Sequence, residues 1–211
     1  MSESMKIIDP LQHWLEDYLP NIAGKKLKTV NNYKMAWKLF FMYMNGRGVP
    51  AENITYEMLD YDCVLGYLRW IEEDRSCKIS TRNNRFAAIS SFSKYSQNMD
   101  FNNSYIFRKA VLKIPFKKEI DSDERAYFTQ EELKIILNLP SAKNNMGYRD
   151  HVLLEFMYAS GARAEEVCTL KVGDIRFLPD GKASVCLHGK GGKKRRIKIS
   201  ETPTRGLQKY I

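Results

Sequence analysis

Apolar side chains recur at helical spacing through the first half of the chain. Leu11, Trp14, Leu15, Tyr18 and Leu19 repeat three or four residues apart behind Pro10, which predicts a first helix. Val30, Tyr33, Trp37, Phe40, Phe41 and Met44 mark one face of a second, with Thr29 as its expected N-cap and Asn45 to Pro50 as its end. A third helix buries Val64, Leu65, Leu68 and Ile71, with Asp62 as its cap. A fourth starts at Ser80 and Thr81 and carries Ala88, Ile89, Phe92 and Tyr95, while Ile106 and Val111 mark a short fifth. The aromatic stripe is expected to fill a core rather than to stack on bases. From Lys113 to Arg125 the periodicity stops, and Pro115 with mixed charges predicts a linker. Beyond it, Thr129 and Glu132 form a capping box ahead of Leu133, Ile136 and Leu137. Tyr148 to Tyr158 gives another helix, with Val152, Leu153, Phe156 and Met157 apolar.

The pattern changes after Tyr158. Gly161-Ala162-Arg163 opens a short helical run, Ala164 to Leu170, with Val167 and Leu170 apolar. That spacing puts Arg163 at a helix start, beside backbone N–H groups that favour an anion. Ala183, Val185 and Leu187 alternate on one side of Gly189-Lys190-Gly191-Gly192, and Ile197 and Ile199 on the other, which reads as a β-hairpin. Its opposite face carries Lys194, Arg196 and Lys198, and its tip carries Lys190. Leu207 to Ile211 starts one more helix. The fold class is therefore mainly α with a small β-hairpin or sheet (α+β). The domain organisation predicted is a helical domain over 1–112, a linker over 113–125 and a second domain over 126–211.

Composition narrows the chemistry. Among 211 residues, 34 Lys and Arg outnumber 25 Asp and Glu, a formal net charge of +9, which points to a polyanion, nucleic acid ahead of a membrane surface. Cys63, Cys77, Cys168 and Cys186 stand singly, and no histidine lies at ligand spacing, so neither a metal site nor a disulfide framework is expected. With no leader-like N-terminus and no apolar run of spanning length, a soluble cytoplasmic protein without membrane contact is expected. The glycines around Lys190 do not have phosphate-loop spacing and are not followed by a helix, so a nucleotide-binding loop and a nucleotide cofactor are set aside. Basic and amide side chains at Lys25, Lys26, Lys28, Thr81, Arg82, Asn83, Arg85, Lys94, Lys193 and Arg195 are candidates for contacts to DNA phosphates. By charge pattern alone, an unrelated basic helical protein that binds RNA or a protein partner stays open.

Two boxes carry a family resemblance. Gly161, Arg163, Glu166, Leu170, Asp174 and Ile175, followed by Gly189, Lys190, Gly191 and Lys193, resemble the first catalytic box and the β-hairpin of the tyrosine recombinases, the phage-integrase and Xer-like family. More diffusely, Thr29, Tyr33, Phe40, Ser80, Thr81, Arg82, Phe92 and Tyr95 are similar to that family's helical, SAM-like core-binding domain. The resemblance implies site-specific strand exchange on double-stranded DNA through a 3′-phosphotyrosine, by a tetramer on DNA and a monomer when free, with no cofactor. It makes Arg163 a transition-state clamp and Lys190 the general acid for the leaving 5′ oxygen, with Glu166 and Asp174 in support. Guanidinium suits that charge because its planar fork binds two oxygens and stays protonated.

The resemblance also sets an expectation about what is missing. His13, His151 and His188 are the only histidines and none begins a His-x-x-Arg, while Tyr210 follows Lys190 too closely to be the nucleophile. The expectation is an N-terminal portion with a truncated catalytic domain, from a phage or mobile element, that binds DNA without recombining it. The alternative is a non-catalytic DNA-binding protein that occupies recombination sites.

Overall fold

The computed structural model describes residues 5–118, 127–141 and 144–211, and of Lys190 the backbone only. It divides into two compact units, Met1–Ser122 and Asp123–Ile211. The stretch 119–125 of the expected linker lies outside the described residues.

The first unit is helical. It contains α1 (Ile8–His13), a π-helical segment (Trp14–Ile22), α2 (Leu27–Gly46), α3 (Tyr61–Glu73), α4 (Ile79–Met99) and α5 (Phe101–Lys113). The π-helical winding was not anticipated. Pro20 sits inside it and has no N–H to donate, and the Ala23 N–H reaches back five residues to the Tyr18 carbonyl at 2.7 Å. Cap positions also differ from expectation. α2 starts two residues before Thr29, α4 starts at Ile79, and α3 is capped by Asp60, whose Oδ1 accepts from the Cys63 N–H at 2.8 Å, not by Asp62. The fifth helix runs to 13 residues because Asp100 caps it, accepting from the Asn103 N–H.

Aromatic rings form this core, as the apolar stripe predicts. Phe92 is fully buried at its centre, with ring centroids of Trp37 at 5.0 Å, Trp14 at 5.3 Å and Phe107 at 6.1 Å. Edge and tilted packing of such rings adds to the apolar burial. Buried hydroxyls find acceptors: Tyr67 donates to the Ala36 carbonyl at 3.1 Å and Tyr56 to Ser96 Oγ at 3.1 Å. Burial pushes the Tyr56 phenol up to about 12.

The second unit contains α6 (Gln130–Asn138), α7 (Asn145–Ser160), α8 (Ala164–Cys168), β1 (Ile175–Phe177), β2 (Ala183–His188), β3 (Lys194–Ile199) and α9 (Glu201–Tyr210). The capping box before α6 forms as expected, with the Thr129 N–H donating to Glu132 Oε2 at 2.8 Å and the Glu132 N–H to Thr129 Oγ1 at 3.2 Å. The strands make one antiparallel sheet in the order β1-β2-β3, with Val185 opposite Ile197 and Ala183 opposite Ile199. β1 extends the expected hairpin. It is only three residues long, too short for alternation to show in the sequence. Ala183, Val185, Leu187 and Ile199 form the buried face and share a core with Val152 and Phe156 of α7 and Leu207 of α9.

Truncating the ring at the centre of the first unit tests this packing. Phe92→Ala should cost about 3–5 kcal/mol of stability by urea denaturation. A loss below about 1 kcal/mol, the range of an ordinary surface change, would contradict it.

Candidate functional site

The second unit brings residues of the two boxes together around one carboxylate. α7 ends at Gly161, which takes the left-handed conformation (φ 58°, ψ 25°) that a side chain would resist. The chain then extends through Arg163 and turns into α8, a helix of five residues rather than the seven expected. Glu166 lies one turn on and is 4% exposed. Its Oε2 accepts from the Arg163 backbone N–H at 2.9 Å, and its Oε1 from Arg163 Nη1 at 3.3 Å.

A second arginine reaches the same carboxylate from the sheet. Arg195 of β3 donates from Nη1 to Glu166 Oε1 at 2.6 Å and from Nη2 to Oε2 at 2.8 Å. This fork on a carboxylate is the strong, geometry-defining kind of ion pair. First the Arg195 hydrogen bonds, then the Arg163 N–H, pull the Glu166 carboxyl down to about 2. The side chain of Arg163, in contrast, is 78% exposed.

The hairpin tip is built onto this pair. Gly189 donates its N–H to the Lys193 carbonyl at 2.7 Å, and a Cβ at Gly189 would lie 3.4 Å from Glu166 Oε1. The backbone at Gly189 thus runs beside the carboxylate. Lys190–Gly192 then form a single tight turn in which Gly191 and Gly192 both have φ of 76°. Asp174 fastens the other side of the tip: its Oδ1 pairs with His188 Nε2 at 2.9 Å and its Oδ2 accepts from the Lys171 N–H at 3.0 Å. Those two contacts, the histidine first, hold the Asp174 carboxyl below the usual carboxylate range. His188 immediately precedes Gly189, so both carboxylates brace the segment that leads into Lys190.

The structure thus gathers Arg163, Glu166, Arg195 and the backbone of the Lys190 turn. Arg195 sits opposite Leu187, on the row shared with Ile197 and Ile199, so it points inward. Sequence reasoning grouped it with the basic surface, although its parity with Ile197 and Ile199 marks it as an inward charge that needs a partner. Lys194, Arg196 and Lys198 occupy the exposed face, and among the described residues none of them has an ion pair.

In the first unit, Lys25, Lys26, Lys28 and Lys94 are exposed. Arg82 does not lie on that solvated face: it is 2% exposed, and its Nη1 donates to the Pro115 carbonyl and Asn83 Oδ1, each at 3.1 Å. Asn83 grips Lys117 through two backbone hydrogen bonds, at 2.7 and 3.1 Å, and Arg85 Nη1 donates to the Asn32 carbonyl of α2 at 3.3 Å. Near the start of α4 these polar side chains hold neighbouring backbone. Among the described residues, no group of side chains is placed to hold a metal ion, and no helix is long and apolar enough to cross a membrane.

Fold and site together define a class: a helical unit, then an α/β unit in which an arginine after a helix end and a lysine-bearing hairpin share a buried glutamate. The fold is similar to that of XerH, a site-specific recombinase solved bound to palindromic difH substrate as a post-cleavage complex; the match has a TM-score of 0.66 at 20% identity, covering 92% of this chain and 55% of that one. Residues 126–211 match the phage integrase family. Relatives include y4rD of Sinorhizobium fredii, which carries an integrase/recombinase name, 29% identical over 98% of this chain and 73% of its own length. The tyrosine recombinase XerC of Bacillus pumilus is 25% identical over 95% of this chain. XerC of Chlamydia caviae is 27% identical over 92%. Together these matches support a member of the tyrosine recombinase family. It spans 62% and 64% of the lengths of those two XerC relatives.

The Glu166 carboxyl gives a pH signature. Its folded-state pKa lies below the ordinary 4.5, so the stability it confers is complete above that value and is lost as pH falls toward about 2. Glu166→Gln removes this contribution, whereas the other depressed carboxylates titrate in both proteins. The urea midpoint should fall more steeply in the wild type than in the variant across that window, and parallel curves would contradict the assignment.

Proposed function

We propose that this chain binds duplex DNA as part of a site-specific recombinase, and that Arg163 and Lys190 act on one scissile phosphate. The observation that carries the reading is the exposed guanidinium of Arg163, held by a buried glutamate that also anchors the hairpin leading into Lys190. A phosphodiester under attack concentrates charge on its non-bridging oxygens, and a fixed guanidinium beside it supplies charge where that charge develops. The ammonium of Lys190, on its glycine turn, would protonate the leaving 5′ oxygen. No His-x-x-Arg occurs in this sequence, and transfer to a 3′-phosphotyrosine would use groups beyond Arg163 and Lys190.

DNA phosphates would be gripped by Lys25, Lys26, Lys28 and Lys94 in the first unit and by Lys193 with the basic face of β3 in the second. Thr81, Asn83 and Arg85 would support that surface from the start of α4. The helical unit over 1–112 would be the core-binding domain and 126–211 the first part of the catalytic domain, with tetramers forming on DNA and monomers when free. Action in the cytoplasm on the DNA of a phage or mobile element completes the proposal.

Salt dependence and catalysis separate the two groups of residues. In fluorescence anisotropy on a duplex, Lys25→Ala combined with Lys26→Ala should flatten the slope of log affinity against log salt by roughly 0.9 per lost phosphate contact. Arg163→Ala should leave affinity nearly intact, yet in a chain extended to the relatives' length it should slow strand cleavage by about 10²–10³. An unchanged salt slope, or normal covalent-complex formation by Arg163→Ala, would refute the respective role.

A further inference from the structure

Glu166 poses an electrostatic problem for any anion that approaches Arg163. A carboxylate 3.3 Å from Arg163 Nη1 competes with that anion for the guanidinium and also repels it. Being 4% exposed, it is screened by water and mobile ions less than a surface carboxylate would be. The formal charges of Arg163 and Glu166 cancel, so the pair alone offers an incoming phosphate no net attraction.

Arg195 changes this. Its two bonds to Glu166, 2.6 and 2.8 Å, are shorter than the one side-chain bond from Arg163, 3.3 Å. Its side chain is 39% exposed against 78% for Arg163, so it lies deeper. It is fixed there by the strand, since its neighbours Ile197 and Ile199 in the same row pack inward. With Arg195 included, the three side chains sum to one positive charge, and the least buried of them is Arg163.

We infer that Arg195 is a positioning residue which neutralises Glu166, so that Glu166 can orient Arg163 without consuming its charge. The carboxylate then aligns Arg163 through the backbone N–H, a bond that survives when the exposed guanidinium swings to a phosphate. This assigns Arg195 a role inside the site in place of a direct DNA contact. It rests on the reading of Arg163 as a phosphate-binding group given under Proposed function.

The test uses the 211-residue chain and inorganic phosphate as the probe. The Arg163 Nε–Hε signal is followed by NMR while phosphate replaces chloride at constant ionic strength. Arg195→Gln keeps two of the three methylenes and an amide NH2 donor but removes the charge. In it, the apparent Kd for phosphate at Arg163 should rise by about tenfold, which lies between the effect of one close charge in bulk water and that near a protein surface. Arg195→Gln combined with Glu166→Gln should return the Kd to within about twofold of wild type, because no unpaired carboxylate is left.

Backbone amide spectra establish that each variant is folded. Should Arg195→Gln fail to fold, Arg195→Lys, which keeps the charge without the fork, takes its place, and its Kd should stay within about threefold of wild type. A wild-type Kd in Arg195→Gln, a double variant as weak as the single, or an Arg195→Lys variant weakened by tenfold would overturn the inference. A wild-type chain in which phosphate leaves the Arg163 signal unmoved would instead overturn the phosphate-binding reading itself, and this inference with it.

Discussion

A buried carboxylate surrounded by donors is the constraint on which the second unit's site depends. Ionised carboxylates are costly to bury unless each oxygen is satisfied, and Glu166 has four donor contacts: two from Arg195 and two from Arg163. These donors come from sequence positions about thirty residues apart, one at the start of α8 and one on β3. Satisfying a single carboxylate therefore closes the chain between the helix end and the hairpin. The close approach of Gly189 to the same oxygen extends the constraint to the turn that follows. The position of the Lys190 backbone relative to the Arg163 backbone is set by this one cluster, with Asp174 and His188 bracing it from the other side.

How much of this could be read from the residues follows from the range over which each signal acts. Helix existence was legible wherever apolar side chains repeat over several turns, as from Val30 to Met44, because the period is long enough to be unambiguous. The capping box at Thr129 and Glu132 was legible because it is local. Caps with two nearby candidates were not: Asp60 and Asp62 are the same residue type two positions apart, and only the backbone conformation at Asp60 decides. The long fifth helix was underestimated for a similar reason, since Asn102, Asn103 and Ser104 obscure its first turn.

Charged residues were the harder class. Arg82 and Arg195 both sit in basic, polar stretches and both read as surface, yet the first caps the backbone at Pro115 and the second closes on Glu166. Neither partner is near in sequence, so composition could not reveal it. For Arg195 a clue existed in the alternation with Ile197 and Ile199; for Arg82 the partner is a backbone carbonyl, which leaves no trace in side-chain pattern. The two units also differ in how they gain order. The first has an aromatic core large enough to fix its helices, while α6 in the second buries no residue fully and relies on its cap and partial contacts. There, polar contacts around a small core carry more of the geometry, and the site is made from those contacts.

The ionisation of Glu166 in the folded chain is the quantity that tests this account most directly. A carbon-detected NMR titration of its side-chain carboxyl should give a midpoint near 2. A midpoint at the ordinary carboxylate value of 4.5, in a chain still folded, would mean that the two arginines do not converge on it, and the account would fail.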